Sequence, residues 1–288
     1  MTRTDTTTAG YAATDAFELP HNLGLATAEP AARGDEDADG ARALNPVPDR
    51  LEVLREQFAA VGLGMKREIM LVCGLALLFT FFVMWVEVNG EPGGIPLDPQ
   101  MGIAAALAAL LVPMAVWKGE GPSRRGYHHG MPVDQAEHAV ARTGAGLAWM
   151  MIGVVAFFGW MALLMSLTGG LVAQVEPWQW VAPFVGATVT YLLGSALTLL
   201  TDHPWRWLGG GAVGFVFLNI FRAIDAASPL GKLLDAVLLG DYGFSRLLTG
   251  TAPPFITPDF GAWLASVWIW VVAAVGAFLF AAHRQPES

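Results

Sequence analysis

Charge is what the longest segments of this chain lack. Six apolar stretches, at about 69–88, 101–117, 144–168, 178–200, 207–221 and 262–282, hold no Asp, Glu, Lys, Arg or His in their interiors, with Glu87 at the rim of the first. Carriers coupled to protons or ions place ionisable side chains inside the membrane as relays. Interiors this empty disfavour such a relay and point to an energy source outside the bilayer. Cysteine is limited to Cys73. No intrachain disulfide can form, and a thiol inside an apolar run reads as a small hydrophobe rather than a redox group. A GxxxxGK[ST] phosphate loop is missing, since Gly231-Lys232 is followed by Leu233; any ATP hydrolysis belongs to another chain. There is no HExxH motif, and Ser195 has no histidine within any run to activate it, which argues against zinc hydrolysis and an intramembrane serine protease. The connecting loops offer no soluble domain large enough for an enzyme. No cofactor, enzymatic activity or nucleic-acid partner is expected.

What is present is hydrocarbon-compatible helix. Crossing a core about 30 Å thick takes about 20 apolar helical residues. Only helices or closed barrels satisfy their backbone in lipid, and runs without period-2 alternation are helices. Hydrophobic residues make up 54% of the chain and charged ones 14%, well below the quarter or so usual in soluble domains. The expected fold is all-α: a polytopic membrane protein with six transmembrane helices over 49–288 and the lipid bilayer as its solvent. Residues 1–48 are different. Acids such as Asp35, Glu36, Asp37 and Asp39 dominate a stretch rich in Thr, Ala and Gly, which buries too little to fold. A disordered cytosolic tail is expected. No apolar region there precedes a small-residue cleavage site, so the first span would act as an uncleaved signal anchor.

Lys and Arg near span ends set orientation. With the N-terminus inside, cytosolic segments hold Arg50, Arg55, Lys66, Arg67, Lys118, Arg124, Arg125, Arg142, Arg206 and Arg284, and external ones hold Arg222, Lys232 and Arg246. That bias predicts an inner (cytoplasmic) membrane location with both termini cytosolic. Trp117, Trp149, Trp205 and Trp207 would mark the inner boundary, and Trp85, Trp178, Trp180 and Trp263 the outer one. The fifth run is the shortest: about fifteen clean residues reach only about 22 Å, so it needs help from its flanks to cross.

Two amphipathic segments flank the spans. Over 49–67, Asp49 and Glu52 form a capping box, and Leu51, Leu54, Phe58, Val61 and Met65 share a face. This predicts an interfacial helix ahead of the first span; a plain extension of that span is the alternative. In the external insertion 223–261, Ser228 caps and Pro229 opens a helix whose Leu230, Leu233, Leu234, Val237 and Leu238 recur at helical spacing. An insertion of that length is expected to dip into the outer leaflet or cap the bundle.

The cytosolic segment 118–142 contains Arg124-Arg125-Gly126-Tyr127-His128-His129-Gly130-Met131-Pro132-Val133-Asp134-Gln135 and closes on Arg142. It resembles the loop of type-2 ATP-binding-cassette exporter permeases, which carry an arginine, a short apolar stretch, Leu-Pro-Val-Ser/Asp-Arg and a helix entering the third span. Arg125, Met131-Pro132-Val133-Asp134 and Arg142 match that outline, while Gln135 replaces the usual basic residue and Gly130-Met131 the common Ser-Leu. The order of parts along 49–284 is also similar to the whole permease subunit. The resemblance implies a nucleotide-binding ATPase subunit in trans, a second permease copy as dimer partner, and an ATPase-coupling loop formed by Arg124, Arg125, Tyr127, Met131, Pro132, Val133, Asp134 and Arg142. Topology-setting cations alone would also account for the basic residues.

His128, His129, Asp134, Glu137 and His138 invite a metal reading. Adjacent histidines diverge, however, and Asp134 with His138 gives two ligands rather than four, so no metal site is expected. In the fourth span Thr188, Tyr191, Ser195 and Thr198 recur on one face. They are a candidate pathway lining, or else the small and hydroxylated glue of helix packing. A non-transporting scaffold or assembly factor is the main alternative function, with an ion-coupled carrier third.

Overall fold

The computed structural model describes residues 50–90, 93–118, 135–224, 228–240, 242–250 and 259–284. The expected disordered tail, the Asp49 cap and most of segment 118–142 lie outside them. Among the described residues regular structure is helical, apart from one bridge between Leu97 and Val172. In order these are α1 (Arg50–Gly64), α2 (Lys66–Asn89), α3 (Gly102–Ala109), α4 (Val112–Val116), α5 (Gln135–Thr168), α6 (Ala182–Leu200), α7 (Pro204–Ile224), α8 (Pro229–Leu234), α9 (Phe244–Thr249) and α10 (Phe260–His283). Five helical stretches are long and apolar enough to cross a membrane: Lys66–Asn89, Pro99–Val116, Ala136–Thr168, Pro177–Leu200 and Phe260–His283. The chain is an all-α, multi-pass membrane protein. Its sixth expected span is α7, whose 21 residues give about 31 Å of helix. The length missing from the clean run comes from Pro204–Arg206 and Arg222–Ile224. Helix α7 carries four glycines and two arginines, Arg206 and Arg222, near its two ends.

The centre of the bundle is α6. Gly186, Thr190 and Gly194 follow one another at intervals of four on its face toward α3 and α4, where small side chains let backbones approach. A Cβ on Gly186 would lie 2.8 Å from Leu248 Cδ2, and one on Gly194 would collide with the Leu110 carbonyl oxygen. Thr190 Oγ1 donates to the Ala106 carbonyl oxygen at 2.6 Å. The close approach coincides with the break between α3 and α4, just ahead of Pro113, which has no N–H to offer the preceding turn. On other sides α6 meets α5, α9 and α10.

At one end of the bundle Val61 of α1, Met65 at the junction with α2, Val116 and Trp117, Ala139 and Ala145 of α5, Leu199 of α6 and Ala281 of α10 form a single core. Lys66, Arg67, Lys118, Arg142, Arg206 and Arg284 lie on elements that begin or end there, so we refer to it as the basic end. Here α1 packs on α5. The Trp149 indole N–H donates to the Phe58 carbonyl oxygen at 2.9 Å, its ring stacks on Phe58 with centroids 4.9 Å apart, and Gly62 leaves the space the ring occupies. Of the expected apolar face, Phe58, Val61 and Met65 pack, but Leu54, a turn nearer the start of α1, is 45% exposed. Helix α1 is distinct from α2, although Met65 N–H to Val61 and Ile69 N–H to Met65 carry the hydrogen-bond ladder through the junction.

At the opposite end the segment between α7 and α10 folds back onto the bundle. The Ser228 hydroxyl accepts from Gly231 N–H at 3.0 Å and Pro229 opens α8, as expected. The regular apolar face does not continue. The helix turns into a π turn over Asp235–Leu239, the wider winding breaks the 3.6 register, and Leu230, Leu233 and Val237 are exposed. Helix α9 is then hung from α10. Trp263 Nε1 donates to the Leu247 carbonyl, Ser266 Oγ to Gly243 (3.1 Å) and Trp270 Nε1 to Tyr242 (3.0 Å). Trp270 lies ten residues past Phe260, so the segment extends about 15 Å along α10 from its first residue.

Candidate functional site

The expected coupling segment is anchored at both ends. At its start Lys118, just past α4, pairs with Glu68 of α2 at 2.9 Å. At its close Arg142 reaches from α5 to the last carbonyls of α4: Nε and Nη2 both donate to the Val116 carbonyl oxygen, at 3.1 and 2.8 Å. The guanidinium lies 5.4 Å over the Trp117 ring, a cation–π position. A cation on the exposed carbonyls of a helix C-terminus satisfies groups that the helix itself leaves open. Arg142 therefore clamps the entry of α5 to the exit of α4 and fixes the spacing of the two ends of the loop. Helix α5 has 34 residues, about 51 Å of helix and roughly 20 Å more than a hydrocarbon core needs. Its first turns, with Glu137, His138 and Arg142, extend past the apolar run and pack into the core of the basic end through Ala139. Of the expected loop residues, Arg124, Arg125, Tyr127, Met131, Pro132, Val133 and Asp134 lie outside the described residues, as do His128 and His129. Among the described residues no group of three His, Cys, Asp or Glu side chains comes together to hold a metal.

Of the hydroxyl face on α6, Tyr191, Ser195 and Thr198 are buried and Thr188 is half-buried. Two of them bond back to their own helix, Thr188 to the Phe184 carbonyl at 2.8 Å and Thr198 to that of Ser195 at 2.9 Å. Tyr191 alone crosses to a neighbour, its hydroxyl donating to the Thr143 carbonyl of α5 at 3.0 Å. The crossing depends on Gly146, where any side chain would displace the phenol oxygen. Thr143, one residue after Arg142, is buried too, and its own hydroxyl finds no hydrogen-bond partner among the described residues. Together Arg142, Thr143, Tyr191 and Ser195 make a polar seam running from the middle of α6 to the basic end. Within one chain this seam is packed by protein.

Three features were not legible in the residue pattern. Thr143 is a single hydroxyl at the end of a charged stretch and shows no periodicity. The Trp149 notch needs Gly62 to lie opposite, a pairing nearly ninety residues apart in sequence. Arg246 reads as a loop cation, yet it is 3% exposed within α9, among α3, α6 and α10. Compared with protein-family models, curated proteins and solved structures, the chain matches none of them.

Proposed function

We propose that the chain is the membrane-spanning subunit of an ATP-binding-cassette exporter, paired with a second permease copy and driven by a separate ATPase subunit. The observation that carries this reading is the Arg142 clamp. A partner pressing on segment 118–142 acts on a loop whose ends are tied to α4 and α5, and α5 is stiff enough to pass the push into the bundle. The loop's resemblance to exporter permeases supplies the nature of the partner, with Arg124 and Arg125 offering charge-assisted contacts. Span interiors without ionisable groups support an external motor. In this reading α7 crosses to complete six spans, both termini are cytosolic, and the membrane is the inner one. Cargo would travel between the two copies, because the Tyr191 face is filled within each.

That filled face also favours a second reading, a polytopic scaffold whose loops recruit partners and move nothing. Co-purification decides between them. Under the exporter reading a nucleotide-binding subunit accompanies the chain, and Arg125→Glu weakens that association or the stimulated ATPase rate while membrane insertion is unchanged. No change in either quantity favours the scaffold. Gradient-driven uptake without nucleotide by the chain alone in vesicles would end the exporter reading.

A further inference from the structure

At the basic end, where α6 gives way to α7, Thr201, His203, Arg206, Trp207 and Gly210 line a groove of about 580 Å³. The geometry points to a binding site for the phosphate-bearing headgroup of an anionic phospholipid, with its acyl chains laid along α7. The link is locally set: Thr201 is extended at the end of α6, its Oγ1 accepts from His203 N–H at 3.2 Å, and Arg206 N–H bonds back to the His203 carbonyl at 3.0 Å. This places the guanidinium, the imidazole and the Thr201 hydroxyl around one opening. Asp202 is exposed and does not line it.

The lining has two chemical halves. Arg206 offers donors and positive charge to a phosphate and His203 a further ring donor, and Trp207 with the bare Gly210 backbone offers an apolar wall. That wall continues up α7: Val213 and Phe217 are exposed on the turns that follow Gly210, and a Cβ on Gly210 or Gly214 would meet nothing within 4 Å. A soluble anion would use only the first half. An amphiphile at the interface uses both, and the exposed indoles of Trp205 and Trp207 are the side chains that sit at headgroup level. Charge complementarity selects an anionic lipid over a zwitterionic one, each cation near a charged surface being worth about fivefold in binding.

The test uses the full-length chain purified in detergent, with lipid retention read by native mass spectrometry. Dioleoyl phosphatidylglycerol is expected to bind about fivefold tighter than dioleoyl phosphatidylcholine. Arg206→Gln should remove that preference, and Gly210→Leu, whose Cβ meets nothing within 4 Å and whose side chain occupies the groove, should weaken both lipids. Arg284→Gln should leave that preference in place, since this exposed cation lies 5.2 Å over the Phe280 ring and does not line this groove. Melting curves identify any variant that has lost its fold; Gly210→Leu serves as the second arm if Arg206→Gln has. Equal binding of the two lipids, or equal losses from Arg206→Gln and Arg284→Gln, would overturn the site. Displacement of the lipid by millimolar inorganic phosphate would overturn the lipid as its occupant.

Discussion

Helices α6 and α7 follow one another, are of similar length, and both carry small residues, yet they occupy opposite extremes of the molecule. On α6 every glycine faces another element, and the hydroxyls of Thr190 and Tyr191 bond to α3 and α5. On α7 the glycines face open space, and Trp205, Trp207, Val213 and Phe217 are all exposed. Small residues in a membrane helix permit close packing but do not cause it. What distinguishes α6 is the matching surface: a broken helix beside Gly194, a carbonyl within reach of Thr190, and a glycine on α5 that admits a phenol. Among the described residues helix α7 meets no such matching surface at its glycines.

The contrast is broken most severely by Gly194→Leu, which pushes a branched side chain into the α3–α4 break. It should destabilise the chain by about 3 kcal/mol or more, whereas Gly210→Leu on α7 should stay within about 0.5 kcal/mol; thermal melting in one detergent compares them directly. Trp149→Ala comes next, at about 3 kcal/mol, and limited proteolysis should then cut in α1 once it loses its seat on α5. Arg142→Gln should cost about 2 kcal/mol by freeing the Val116 carbonyl from a charged donor. In a reconstituted exporter it should also reduce ATPase stimulation more than it lowers the melting temperature. Tyr191→Phe is the mildest, about 1 kcal/mol for one cross-helix hydrogen bond in a membrane setting. A loss as large as that from Gly194→Leu would mean that the polar seam, rather than small-residue packing, holds α6 in place.

Reading the residues in order recovers the helices well and their partners poorly. The apolar runs emerge as helices, though the second is split into α3 and α4 and the third begins at Gln135, well ahead of its apolar part. The Ser228 cap and Pro229 start stand where local chemistry puts them. Errors begin where a neighbour decides the outcome. Leu54 shares the spacing of Phe58 and Val61 but lies beyond the reach of the core that encloses Val61. The Leu230–Leu238 pattern presumes an unbroken α-helix and fails at a π turn. Arg246 looks like a solvated cation until α9 is folded back beneath α10.

The sequence by itself determined that this chain dissolves in a bilayer as helices and carries its cations at the ends of its spans. Charge-free runs of that length have no other stable state in hydrocarbon, so the outcome is local and additive. Only the tertiary structure decided which helix is enclosed and which is bare, where Arg142 ends its reach, and which hydroxyls meet across helices. Those outcomes depend on shape and unpaired carbonyls supplied by segments far apart in the chain, and no single stretch contains both halves of such a contact.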